Sequence, residues 1–468
     1  LVAMNPAALK VHLTDLKENG MLLVNTANYT PKNLKLAGYD EDPLEGDNLE
    51  NYRLIKVDMT DLVFKALEDM ELSSKVMARS TNMFALGLLY WLYERDMQSS
   101  FNFLEKKFKT KPEIVEANKK ALKAGFYFGD TIEAIKTTYK ISKAEFKKGT
   151  YRNIMGNPAL GMGLLAASQK AEIDLFFGGY PITPASDILH FLSKYKNLGI
   201  KTFQAEDEIA GICSALGAAF TGNLAITASS GPGIALKGEA MGLALMTELP
   251  LVIVNIQRGG PSTGLPTKTE QSDLMQAMYG RNGEAPIVIL APQSPGDCFY
   301  MAFEACRIAL EYMMPVMLLS DGYLANGSEP WEIPDANKLK KINLRKIEKT
   351  EDFKAYDRDP KTLARPWAIP GTPGLEHRIG GLETEAVTGN VSYDPENHES
   401  MVRLRSKKVE IVANDISDIV PYGDDSGDTL VVGWGSTYGA IRSAVDRARD
   451  EGLSVSHIQL RHINPFPK

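Results

Sequence analysis

Ile173-Asp174-Leu175-Phe176-Phe177-Gly178-Gly179-Tyr180-Pro181-Ile182-Thr183-Pro184-Ala185-Ser186 is an apolar run that breaks on two glycines and then stiffens on two prolines. Ile173 to Phe177 reads as a buried strand, and a helix is expected to begin near Ala185. The same strand, loop, helix rhythm recurs on both sides. Thr202-Phe203 is a short strand before a helix from Asp207 to Phe220. Leu224 to Thr227 is a strand that ends in Ser229-Ser230-Gly231-Pro232-Gly233, and Leu251 to Ile256 is one that ends in Gln257-Arg258-Gly259-Gly260. Pro286 to Leu290 and Pro315 to Leu319 are further strands around a helix from Pro295 to Tyr312. Continuous apolar strands alternating with helices are those of a parallel sheet covered on both faces. Residues 151–335 therefore read as a doubly wound α/β domain, whose ligands bind beyond the carboxyl ends of the strands.

Four loops fall at such ends. In the first, two glycines permit close backbone approach and two prolines hold the loop rigid, so Thr183 presents a hydroxyl on a stiff hook. Taken alone, the simpler reading is that Thr183 or Ser186 caps the following helix, with Pro184 in its first turn. In the second, Glu206, Asp207 and Glu208 crowd a helix start, where acids are favoured by the macrodipole. Because Ile209, Ala210, Ile212 and Cys213 follow at once, Glu208 is also placed to face a buried interface, where a carboxyl can share a proton with a ring nitrogen. The third, Ala228 to Gly233, precedes a helix N-terminus and so could hold an anion; otherwise it is a tight turn. It lacks the lysine and hydroxyl spacing of a P-loop. The fourth, Arg258-Gly259-Gly260-Pro261-Ser262-Thr263-Gly264-Leu265-Pro266-Thr267, sets a forked cation suited to a carboxylate among hydroxyls and shape-fixing residues. A loose surface loop is the poorer reading of such a density.

The chain has 468 residues, enough for two to four domains. A 44% apolar and 24% charged composition is that of a globular protein. A net charge of −7 gives no basic footprint for nucleic acid. Three cysteines, Cys213, Cys298 and Cys306, are too few for a disulfide framework or a four-thiolate iron–sulfur site. Low cysteine use and the lack of a signal peptide imply a reducing, cytoplasmic setting. The most apolar run, Met83 to Tyr93, is shorter than the roughly 20 residues of a membrane span and reads as a buried helix. The six histidines are scattered without metal-ligand spacing, and His190 and His457 read as structural.

Residues 1–130 alternate strands (Met21 to Asn25, Tyr52 to Val57) with helices (Asn82 to Glu94, Glu113 to Gly125) and read as a separate α/β domain. A polar, lysine-rich stretch over 131–150 reads as a linker. From about 336 to 425 the rhythm is lost. A loop that long is expected to wrap a surface or reach another subunit. Residues 426–468 begin another α/β domain: strand Thr429 to Gly433, helix Ala440 to Asp450, strand Ser454 to Leu460. Its Gly433-x-Gly435-x3-Gly439 pattern lacks the dinucleotide spacing. The chain starts at Leu1 and stops soon after a strand, so both termini are expected to be incomplete.

Together, Tyr180-Pro181-Ile182-Thr183-Pro184-Ala185-Ser186-Asp187, Glu206-Asp207-Glu208, Ala228 to Gly233 and Arg258 to Thr267 resemble, in order, the 2-oxoacid:ferredoxin oxidoreductases, in particular the α subunit of the 2-oxoglutarate type. The residues before Tyr151 resemble the γ domain fused ahead of α. The resemblance implies that 151–335 is a domain binding the pyrimidine half of thiamine diphosphate, and that 426–468 opens a transketolase C-terminal-like domain. It implies that Glu208 bonds the aminopyrimidine ring and helps to activate the cofactor, and that Thr183 lies near the reacting 2-oxo group. Arg258 and Thr267 would contact the substrate, and Tyr180, Pro181, Ile182, Ser230 and Gly231 the cofactor. The segment holding His377 and Tyr393-Asp394-Pro395-Glu396-Asn397 is similar to an extension near the subunit contact. The implied reaction is coenzyme-A-dependent oxidative decarboxylation, with electrons passed to ferredoxin. The diphosphate with its Mg2+ and a [4Fe-4S] cluster would come from a β subunit, in a dimer of heterodimers, without nucleic acid or membrane. The alternatives are a pyruvate or branched 2-oxo acid enzyme, or a non-catalytic Rossmann-like electron-transfer or scaffold subunit.

Overall fold

The computed structural model describes residues 1–132, 135, 137–347 and 351–467. Parts of the expected linker 131–150 and of the segment 336–425, together with Lys468, lie outside the described residues. The chain divides into two compact units, Leu1–Phe146 and Lys147–Lys468.

The first unit carries a parallel sheet of β1 (Val2–Ala3), β2 (Met21–Asn25) and β3 (Arg53–Val57), in that order. The apolar run near Met83 forms the helix Thr81–Leu92, which buries Phe84, Leu88 and Leu92. It packs on the helix Pro112–Thr131, which runs past the expected end at Gly125. Two glycines make this crossing possible. A Cβ on Gly87 would stand 1.9 Å from the Leu122 carbonyl oxygen, and one on Gly125 1.9 Å from that of Phe84. The backbones touch because neither position has a side chain.

The second unit continues with β4 (Tyr151–Met155), β5 (Leu175–Gly179), β6 (Ile200–Gln204), β7 (Leu224–Ser229), β8 (Leu251–Gln257), β9 (Val288–Leu290), β10 (Pro315–Asp321), β11 (Ser328–Glu332), β12 (Thr429–Trp434), β13 (Val455–Leu460) and β14 (His462–Asn464). Its main sheet has the order β14-β9-β10-β8-β7-β5-β6. Six strands are parallel, and β14 joins β9 antiparallel. Every residue of β7, β8 and β10 is buried, which is why these strands read as unbroken apolar runs. Alternate side chains feed two cores. Val252, Val254 and Ile256 pack with Leu160, Leu164, Ala302 and Phe303 on one face. Leu251 and Ile253 pack with Ile212, Ala215 and Met241 on the other. The fold is the doubly wound α/β sheet expected, and its order reverses between β5 and β7, the switch point where such sheets bind ligands.

The segment 336–425 does wrap this unit, but it is not structureless. It contains the helix Pro395–Ile411, capped by Asp394, whose carboxylate accepts from Asn397 N at 2.7 Å. The charged sequence hid this helix, because only Met401, Arg405, Lys408 and Val409 are buried. Trp367 is fully buried and donates to the Ala219 carbonyl at 3.1 Å. Glu248, in a left-handed conformation (φ 47°), receives Arg358 and Lys408 from the segment, and Arg365 donates to the Thr247 carbonyl at 3.0 Å. At the end of the chain, β12 and β13 pair parallel before β14 turns back into the main sheet.

Candidate active site at the switch point

All four predicted loops follow the carboxyl ends of strands in the one sheet: after β5, β6, β7 and β8. The cap reading of the first loop is overturned. The helix Ser186–Leu192 has no side-chain cap, and Ser186 Oγ donates backwards to the Ile182 carbonyl at 3.1 Å. Thr183 is exposed instead, while its carbonyl oxygen is held by Arg258 Nη1 at 2.7 Å and approached by Ser230 Oγ at 3.4 Å. Asn157 fixes the next carbonyl, that of Pro184, at 2.8 Å. Tyr180 is 41% exposed, whereas Ile182 is half-buried and packs on the core.

Arg258 is buried, and its fork spans two loops: Nη1 reaches Thr183 and Nη2 the Thr263 carbonyl at 2.7 Å. Its Nε is buried without a partner. The arginine thus shapes the two loops that line a cleft of about 260 Å³, bounded by Thr183, Ser186, Asp187, Thr267, Lys268 and Asn326. The glycines of its own loop are required: Gly264 has φ 51°, and a Cβ there would lie 1.9 Å from the Gly259 oxygen.

The acidic trio divides by role. Asp207 is the helix cap, accepting from Ala210 N at 2.7 Å. Glu206 is exposed, and Glu208 is buried at the first position of the helix Glu208–Phe220. Glu208 folds over Gly233: a Cβ at that glycine would stand 2.0 Å from Ser229 Oγ and 2.9 Å from Glu208 Oε1. Ser229 Oγ is buried with no partner beside it. Ser230 Oγ donates to the Ile256 carbonyl at 2.6 Å, tying the loop after β7 to β8. The anion reading of this third loop meets a carboxylate of the protein itself: Asp273 Oδ2 lies 2.9 Å from the Cβ position of Gly231, held by Asn255 Nδ2 at 2.9 Å. Burial raises the Asp273 carboxyl above its usual range, with Asn255 opposing.

Lys237 is a member of the site that sequence reasoning missed. It is fully buried, and Nζ donates to the Glu208 carbonyl at 2.8 Å and to Thr227 Oγ1 at 3.1 Å. Burial pulls its ammonium down to about 8, with Glu208 pushing it back up. The signal in the sequence was a lysine standing among the apolar residues Ile234 to Leu245, where Glu239 is the other charge. Gly435, in the glycine pattern near the C-terminus, packs on Gln271, which donates to the Trp434 carbonyl at 3.0 Å. Among the described residues, no group of three or more His, Cys, Asp or Glu side chains is placed to hold a metal ion, and no helix is long and apolar enough to cross a membrane.

Residues 167–394 match the family model "Pyruvate flavodoxin/ferredoxin oxidoreductase, thiamine diP-bdg", and residues 1–128 match "Pyruvate ferredoxin/flavodoxin oxidoreductase". The 2-oxoglutarate oxidoreductase subunit KorA of Mycobacterium tuberculosis is 56% identical over the full chain, which covers 71% of that protein. The chain belongs to the 2-oxoacid:ferredoxin oxidoreductases. A further member of this family, the subunit alpha of 2-oxoacid:ferredoxin oxidoreductase 1 from Aeropyrum pernix, is 30% identical, again across the whole chain and 77% of the relative. The 2-oxoglutarate:ferredoxin oxidoreductase of Magnetococcus marinus, solved with 2-oxoglutarate, coenzyme A and succinyl-CoA bound, superposes with a TM-score of 0.86 at 31% identity, over 100% of this chain and 77% of that one.

Proposed function

We propose that this chain is the fused γ/α subunit of a cytoplasmic enzyme that converts 2-oxoglutarate and coenzyme A to succinyl-CoA and carbon dioxide, with electrons passed to ferredoxin. The observation that carries this reading is the placing of four loops at neighbouring strand ends of one sheet, with the buried carboxylate of Glu208 beside the loop after β7. The residues fit the pyrimidine half of thiamine diphosphate: a buried acid, an unpartnered buried hydroxyl on Ser229, and a glycine at 233 with no side chain to crowd either. When bound, that cofactor supplies the carbanion chemistry of decarboxylation. Glu208 holds the aminopyrimidine ring, and Tyr180, Pro181, Ile182, Ser230 and Gly231 form the wall on which it rests. Thr183 and Thr267 orient the 2-oxo acid in the cleft between them. Arg258 keeps that cleft in shape and sets a positive charge behind the substrate carboxylate. Lys268, the cation lining the cleft, suits the second carboxylate of 2-oxoglutarate.

The exposed apolar side chains Tyr180, Phe203 and Ile209 beside these strand ends suit a protein partner. We assign that place to a β subunit carrying the diphosphate with Mg2+ and the [4Fe-4S] cluster, in a dimer of γα/β heterodimers. The test compares 2-oxoglutarate, pyruvate and branched 2-oxo acids in the purified complex. A preference for 2-oxoglutarate that Lys268→Gln abolishes by raising its KM, with pyruvate unaffected, supports the substrate assignment. A preference for pyruvate or a branched acid replaces it.

A further inference from the structure

Glu208 is held by its main chain, and the holder is a charge. Lys237 occupies the junction between the helices Gly231–Leu236 and Gly238–Met246, with no exposed surface. Burying an ammonium is costly unless it is paired and hydrogen-bonded. Here one bond goes to the Glu208 carbonyl and one to Thr227 Oγ1, on the fully buried strand β7. An apolar side chain would fill that volume without the desolvation cost, so the lysine calls for an explanation. The charged and titratable groups acting on it are Glu208, Asp207 and Cys213, all from the start of one helix. Glu208 therefore has a buried cation bonded to its main chain, while its carboxylate lies beside Gly233.

We infer that Lys237 is a positioning residue for Glu208, pinning the first turn of its helix to β7 and placing a buried positive charge behind it. The inference rests on the reading of Glu208 as the group that serves the thiamine ring. Its ammonium, pulled down to about 8 by burial, loses that charge just above neutrality.

The experiment uses the assembled complex loaded with thiamine diphosphate and follows hydrogen–deuterium exchange at the thiamine C2 position by NMR, without substrate. Lys237→Met is expected to slow exchange on the order of 10- to 100-fold while the KM for the 2-oxo acid stays unchanged. In the wild type, the pH profile of exchange breaks near 8. Lys237→Arg, a permanent cation, retains much of the rate and loses that break. Wild-type exchange in Lys237→Met overturns the inference. If Lys237→Met does not assemble, Lys237→Arg decides: an assembled Arg variant that keeps the break overturns it, and one that loses the break supports it. Glu208→Gln separates the two readings. Wild-type exchange in that variant defeats the role of Glu208 itself, whereas slow exchange there with normal exchange in Lys237→Met defeats only the inference about Lys237.

Discussion

At the scale of single residues, the site depends on a carboxylate and on the glycine that makes room for it. Glu208→Gln keeps the shape and removes the carboxylate to which proton transfer is assigned under the proposed function. Turnover should fall by about 100-fold or more, with assembly and melting temperature unchanged. Wild-type rates would take Glu208 out of the chemistry. Gly233→Ala should act through geometry instead. Its Cβ would collide with Ser229 Oγ at 2.0 Å and Glu208 Cγ at 2.7 Å, so thiamine diphosphate affinity should drop and stability fall by about 1–3 kcal/mol. Isothermal titration and thermal melts read both effects. Glu208 was legible in the sequence because an acid cluster met an apolar helix. That Glu208 is the acid facing inward was also read there, and the structure buries it; that Asp207 serves as the helix cap was not, since that depends on local backbone geometry. Lys237 was missed because a single lysine among apolar residues says nothing of the carbonyl it meets at the start of a neighbouring helix.

Among elements, the strand-end loops act as a coupled set, and Arg258 is their clasp. Arg258→Met would take the short bond from the Thr183 carbonyl, leaving only Ser230 Oγ at 3.4 Å, and the arginine donor from that of Thr263, at about 1–3 kcal/mol each. Limited proteolysis should then cut within 259–268, and the KM for the 2-oxo acid should rise. Arg258→Lys should rescue only in part, because a point charge cannot span both loops. An unchanged digestion pattern in Arg258→Met would refute the clasp. The strands themselves were readable, since parallel strands buried on both faces are written as unbroken apolar runs. The helix Pro395–Ile411 was not. Its buried residues include Arg405 and Lys408, whose partners Glu383 and Glu248 lie far off in the sequence. The predicted cap at Thr183 failed for a similar reason: a tertiary contact, the Arg258 fork, claims the loop that local propensity assigned to the helix.

Across the whole molecule, the wrapping segment is fastened to the second unit by Glu248. Burial alone would raise that carboxyl, yet Lys408 and Arg358 pull it below its usual range. A depressed folded-state value means that the contribution is full above the unfolded pKa of about 4.3 and is lost as the pH falls through the folded value. Glu248→Gln leaves two buried cations without their counter-charge and should cost about 3–5 kcal/mol at neutral pH. Urea midpoints should show this gap narrowing in acid below about pH 4; a gap independent of pH would contradict the pairing. The chain is proposed to carry half of a thiamine site, completed by a partner subunit. The most direct measurement is coenzyme-A-dependent reduction of a viologen dye by the chain alone, by the partner alone and by the two combined, with thiamine diphosphate, Mg2+ and 2-oxoglutarate. Reduction by the combination only is the predicted result. No reduction by the intact complex with any 2-oxo acid, or full activity in the isolated chain, would contradict it.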